Sequence, residues 1–178
     1  LAAIGMGIQG FNDVRAALNN EGVRLTAVCD LYQGRLDRCQ EVFGKDLFVT
    51  RDYREVLNRS GVDAVIVATS DHWHDTITIA ALNAGKHVYC EKPMVQQLSE
   101  GKAILAAEKK NEGVLMVGSQ RVSSILMDKA RELYQSGQLG DLVMVETFND
   151  RFSPMGAWQY SIPTDASTSN IDWDTFLK

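Results

Sequence analysis

Cysteine is sparse in this chain. Cys29, Cys39 and Cys90 are odd in number and scattered, with no C-x-x-C pair, which argues against a disulfide framework and a structural zinc. Cys29 and Cys90 end apolar runs and read as small core residues. A long basic run is also missing, as is any interleaving of basic and aromatic residues, and the net charge is -5. That balance does not suit a phosphate-backbone partner, so no nucleic acid is expected. No stretch approaches the roughly 18 to 20 apolar residues of a membrane span, so a soluble protein without a membrane partner is expected. Internal repeats and low-complexity tracts are absent too.

What is present is ordinary globular composition, 45% apolar and 23% charged, in a chain long enough for one substantial core and the start of another. Short apolar runs at Leu1–Ile4, Leu25–Cys29, Leu47–Val49, Ala64–Ala68, His87–Cys90 and Val114–Val117 predict strands. Between them, apolar spacings of three and four predict helices around 13–19, 34–43, 53–57, 75–84 and 99–110. Nearly all-apolar strands alternating with amphipathic helices are the pattern of a doubly wound α/β fold, a parallel sheet covered on both faces.

The pattern stops near Gln120. Beyond it the sequence predicts a helix over 124–134, a turn at Gly137–Gly140, a strand over 142–148 and a long loop over 150–170. A short closing helix to Leu177 has Asn170 or Asp172 as its cap. One strand leaves its edge unpaired, so these residues are expected to begin a sheet that continues beyond Lys178. Only Leu1 to Ile4 precede the first glycine, and the amino end is likewise expected to be cut.

Gly5-Met6-Gly7-Ile8-Gln9-Gly10 is a G-x-G-x-x-G turn between the first strand and the first helix, and Asp30 ends the next strand, 20 positions after Gly10. Each residue has a physical task there. Gly5 permits the tight turn, Gly7 brings backbone close to a pyrophosphate, and Gly10 lets helix and strand pack. Ile8 and Gln9 open the helix, whose unpaired N–H groups face the anion. Asp30, with Leu31 beside it, is placed to accept hydrogen bonds from an adenosine ribose. Its charge opposes a ribose 2′-phosphate, so NAD is expected rather than NADP, a preference that Arg35 and Arg38 soften.

Two further strand exits carry polar residues. Thr69-Ser70-Asp71-His72-Trp73-His74 follows the fourth strand, where hydroxyls and imidazoles can line a bound ribose or nicotinamide. His72 and His74 do not read as a metal site, because residues two apart do not share a helix face and no third ligand lies nearby. His74 also suits a structural histidine at a helix start, and His87, within a strand, reads as structural. Glu91-Lys92-Pro93 follows the fifth strand. Glu91 either orients Lys92 through an ion pair or touches the cofactor ribose. Pro93 forces extended backbone on Lys92, which posts an ammonium at the sheet edge for proton transfer or carbonyl polarisation.

Together these residues resemble the Gfo/Idh/MocA family of NAD(P)-dependent oxidoreductases, over the whole chain. The family's glycine fingerprint falls on Gly5, Gly7 and Gly10, its ribose acid on Asp30, and its strand-end motif on Thr69-Ser70-Asp71 with His74. Its Glu-Lys-Pro hallmark falls on Glu91, Lys92 and Pro93, after Ala84-Gly85-Lys86-His87-Val88. Gly118-Ser119-Gln120-Arg121 resembles its turn into a second domain, and Ile171-Asp172-Trp173 an Asp-Trp segment of that domain. Ser70 and Asp71 stand where the family usually has Pro and Asn.

The resemblance implies a Rossmann dinucleotide-binding domain over 1–120 and the start of an α+β substrate and oligomerisation domain over 121–178, in a protein roughly twice this length. It implies NAD-dependent hydride transfer to or from a sugar or polyol, with Lys92 catalytic. Gln120 then joins the cofactor residues, while Arg121 and Trp158 join Lys92 at a small-molecule substrate. The resemblance also implies a second proton-handling group beyond Lys178 and a homo-oligomer formed through the second domain. The Asp-His-Trp-His string is similar to a bacterial subgroup often made with export signals, which leaves cytoplasm and periplasm both open. Two other functions fit the same scaffold, an NAD-dependent glycosidase and a non-catalytic dinucleotide sensor. Sensors commonly lose the lysine that this chain keeps.

Overall fold

The computed structural model describes residues 1–148, 152, 154 and 160–177. In chain order its elements are β1 (Ala2–Ile4), α1 (Ile8–Leu18), β2 (Ala27–Cys29), α2 (Gln33–Phe43), β3 (Phe48–Thr50) and α3 (Tyr53–Leu57). There follow β4 (Ala64–Val67), α4 (His74–Asn83), β5 (His87–Cys90), α5 (Leu98–Asn111), β6 (Leu115–Val117), α6 (Ile125–Gln135) and α7 (Trp173–Leu177). They fall into two compact units. One comprises Leu1–Gly118 with the residues from Ser167 onward, the other Ser119–Ala166.

In the first unit all six strands are parallel, in the order β3-β2-β1-β4-β5-β6. The doubly wound fold is the one the sequence predicts. Because side chains alternate across a strand, the sheet feeds two cores. Ala2, Ile4, Val65, Val67, Val88 and Cys90 pack with Val56, Ile77, Ala81 and Leu82 of α3 and α4 on one face. Ala3, Val28 and Ile66 pack with Val14, Leu36 and Cys39 of α1 and α2 on the other. The chain reverses its winding direction between β1 and β4, and the crevice that opens there, at the carboxyl ends of the strands, is where such sheets take ligands.

Three local outcomes depart from the sequence pattern. Helix α1 begins at Ile8, where the glycine motif opens it, although its apolar spacing is readable only from about Asp13. Residues 142–148, expected as a strand, form none. A strand exists only through a paired ladder, and among the described residues of the second unit there is no strand to pair with, so Val143 stands 94% exposed. The segment from Ser167, which the sequence assigns to the second unit, groups instead with the first. It makes an antiparallel bridge between Ile171 and Tyr32.

The second unit holds a 3₁₀ turn over Gln120–Ser123 and helix α6. Ser124 caps α6 by accepting the N–H of Leu126 at 3.3 Å.

Candidate functional site

A cleft of about 570 Å³ opens where β1 and β4 leave the sheet. Gly5, Gly7, Ile8 and Gln9 form part of its wall. Gly5 has φ +90°, and a Cβ there would lie 2.5 Å from the carbonyl oxygen of Ala68, so only glycine makes this turn. A Cβ on Gly10 would run into the carbonyl oxygen of Gly5. Gly10 therefore packs the loop rather than lining the cleft. Gly7 meets nothing closer than the Arg35 guanidinium, 3.7 Å from where its Cβ would be. This loop leaves backbone N–H groups and space, the combination a pyrophosphate needs.

Asp30 is only 6% exposed at the end of β2. Its Oδ2 accepts the Met6 N–H at 2.7 Å and its Oδ1 the Tyr32 N–H at 2.9 Å. These bonds fix the carboxylate against the glycine loop and leave Oδ1 a free lone pair. Arg35 reaches the same Oδ2 at 3.4 Å and lines the cleft with Leu31. Arg38 is not part of the cleft wall and pairs with Glu41 at 3.3 Å.

Thr69 and Ser70 line the cleft from the β4 exit, but the two histidines after them do not. His74 is 1% exposed, with Nδ1 2.7 Å from the Pro93 carbonyl oxygen and Nε2 3.2 Å from that of Thr69. These contacts tie the β4 exit to the β5 exit. His72 Nε2 lies 2.7 Å from the Phe176 carbonyl oxygen. Glu91 is 3% exposed and its Oε2 accepts the Lys92 backbone N–H at 3.1 Å. Among the described residues no ion pair joins the two side chains, so Glu91 positions Lys92 through backbone. Lys92 itself is exposed at the β5 exit, one strand over from Thr69. Gln120 and Arg121 are exposed on the 3₁₀ turn of the second unit. Trp158 lies outside the described residues.

The cleft also contains residues that the motifs do not name. Arg51, Asp52, Tyr53 and Arg54 enter from the β3 exit, and Asp172, Thr175 and Phe176 from α7 and the residue before it. The β3 residues were findable by the rule that carboxyl ends of strands face ligands. The α7 residues were not, since nothing in their sequence says which unit they fold against. Asp172 caps α7, accepting the Thr175 N–H at 3.0 Å and hydroxyl at 2.8 Å, and these bonds hold its carboxyl below the ordinary carboxylate value.

Comparison with known proteins agrees with this geometry. Residues 1–119 match the Gfo/Idh/MocA oxidoreductase family, NAD-binding Rossmann fold. An inositol 2-dehydrogenase of Salmonella typhimurium is 30% identical over 144 residues, covering 80% of this chain and 43% of that protein. An α-N-acetylgalactosaminidase of Shewanella oneidensis is 34% identical over 123 residues, covering 64% of this chain and 27% of that protein. The crystal structure of myo-inositol 2-dehydrogenase from Lactobacillus plantarum superposes with a TM-score of 0.74 at 25% identity, covering 80% of this chain and 42% of that one. The chain thus spans less than half the length of the curated relatives it matches. On its glycine loop, its sheet order and these matches, the chain belongs to the Gfo/Idh/MocA oxidoreductase family.

Proposed function

We propose that the first unit binds NAD and that the protein oxidises a hydroxyl of a polyol or sugar, or runs the same reaction in reverse. The observation that carries this reading is the alignment of three strand exits along one edge. The glycine loop leaves β1, Asp30 ends β2, and Lys92 leaves β5. Gly5, Gly7 and the amino end of α1 would hold the pyrophosphate, and Asp30 the adenosine ribose, whose unphosphorylated hydroxyls suit a carboxylate. Thr69 and Ser70 would face the rest of the dinucleotide. The bound nicotinamide supplies the hydride acceptor or donor.

Lys92 would hold or remove the proton of the reacting hydroxyl, with the Glu91 side chain and Pro93 fixing its backbone. The inositol dehydrogenase relatives support a polyhydroxylated small molecule as substrate. Residues 119–166 would begin the substrate domain, with Arg121 and Trp158 near the substrate and Gln120 near the cofactor, and that domain would carry homo-oligomer contacts. Three buried free thiols suit a reducing compartment, so a cytoplasmic site is proposed.

The test is a panel of sugars and polyols with NAD and the longest form of the protein, following NADH absorbance. Substrate-dependent NADH formation is expected. Hydrolysis of a chromogenic glycoside with no NADH accumulating would replace the dehydrogenase reading with a glycosidase.

A further inference from the structure

We infer that Phe176 is a wall of the adenine pocket, supplied by a segment outside the family-matched residues, and that His72 is the positioning residue that holds it there. The inference rests on the dinucleotide reading above. The segment is fastened at both ends of the cleft. At the β2 exit, the Gln33 N–H donates to the Asn170 carbonyl at 2.9 Å and the Asp172 N–H to the Leu31 carbonyl at 3.0 Å. Arg51, beyond β3, donates to the same Asn170 carbonyl at 3.2 Å. At the β4 exit, His72 Nε2 meets the Phe176 carbonyl at 2.7 Å, and the two rings stand edge to face at 5.8 Å and 90°. A carbonyl only accepts, so Nε2 carries the proton. The anchors stand at the exits of the strands on either side of β1.

The surface that Phe176 joins in the cleft is chemically specific. Leu31, Tyr53, Trp73, Ile77 and Phe176 supply apolar and aromatic surface to one cavity that also contains Asp30. If Asp30 takes the ribose, the adenine is one glycosidic bond away, and a flat heteroaromatic base is the part of the ligand that aromatic surface selects. His72 itself is not part of the cleft wall. It acts through the Phe176 backbone. Residues 1–119, the family-matched part, thus receive one side of their adenine pocket from residues 170–176.

The test titrates NAD, ADP-ribose and nicotinamide mononucleotide into the wild-type protein and into the Phe176→Ala, Phe176→Leu and His72→Phe variants, by calorimetry. Hydrogen exchange over 170–177 is followed with and without NAD. Phe176→Ala should weaken NAD and ADP-ribose by about tenfold while leaving the mononucleotide unchanged, and Leu should restore part of the loss. His72→Phe should weaken the same two ligands by a smaller factor and speed exchange over 170–177. NAD should slow that exchange in the wild type. Wild-type affinity for NAD in all three variants would overturn the inference while leaving the cofactor reading intact. No dinucleotide binding to the wild type would overturn both. Should Phe176→Ala fail to fold, the ligand pattern of the Leu and His72→Phe variants decides.

Discussion

The Glu91 carboxylate accepts the backbone N–H of its own neighbour Lys92 at 3.1 Å, from a side chain almost sealed from solvent. Its other oxygen lies 3.5 Å from both Gln9 Nε2 and the Tyr89 hydroxyl. A Cβ on Gly118 would approach that oxygen to 2.5 Å. One carboxylate therefore connects the lysine at the β5 exit to the helix that follows the glycine loop. Among the described residues its oxygens meet hydrogen-bond donors rather than a cation.

Glu91→Ala should cost about 1–3 kcal/mol of stability, because it strands donors that point at the carboxylate. Urea unfolding measures that. In an active protein the same change should lower kcat more than NAD affinity, since Lys92 loses its backbone anchor outright while the glycine loop loses only the 3.5 Å contact from Gln9. Unchanged kcat with lowered stability would make Glu91 a purely structural residue.

Gly10 offers a sharper steric prediction. An added methyl there meets the Gly5 carbonyl and, at 3.2 Å, the Ala68 side chain, both on backbone that cannot swing away. Gly10→Ala should therefore lose about 1–3 kcal/mol and weaken NAD binding as the loop shifts. Gly61 is the control, with nothing within 4 Å of its Cβ and no positive φ. Gly61→Ala should stay within about 0.5 kcal/mol of wild type. Equal urea midpoints for the two variants would remove the packing argument for Gly10.

Most of the first unit was legible because its signals are local. Alternating apolar strands and amphipathic helices fix a parallel sheet, and the glycine loop with Asp30 marks the crevice. The parts that were not legible depend on partners distant in sequence. The helical ambition of Ile171 to Leu177 is readable from Asp172 as a cap, but its bridge to Tyr32 spans the fold and leaves no periodic trace. The sequence offers His74 as a ligand residue or a tie, and the Pro93 and Thr69 carbonyls that meet its two nitrogens come from positions that no local pattern marks. Residues 142–148 have strand composition, yet composition cannot supply the neighbouring strand that a ladder needs.

Asp30 sets the cofactor prediction. Wild type should bind NAD at least tenfold more tightly than NADP, a difference of about 1.4 kcal/mol or more. Asp30→Ala should narrow that ratio by weakening NAD, because the ribose hydroxyls lose their acceptor while Arg35 is freed from the 3.4 Å pairing to meet a phosphate. Fluorescence titration with both dinucleotides measures it. A wild-type preference for NADP would contradict the role given to Asp30.

Asp13 gives the protein a pH dependence of known sign. Burial, first, and the nearby Glu91 charge raise its carboxyl above the ordinary 3.8, against the lowering effect of the hydrogen bond from Gln9. Its Oδ2 is buried with no hydrogen-bond partner among the described residues. The folded state thus binds the Asp13 proton more tightly than the unfolded chain. As pH rises from 3.8 through the higher folded value, the unfolded chain has already released this proton, and stability falls across that window before levelling off. Asp13→Asn keeps the oxygen that Gln9 donates to and removes the ionisation. The variant should therefore gain stability over wild type at about neutral pH, and the gain should vanish below the ordinary carboxylate value. Urea midpoints at the two pH values decide it. An Asn variant less stable at neutral pH, or a difference that ignores pH, would mean that solvent reaches the carboxylate and that its burial costs the fold nothing.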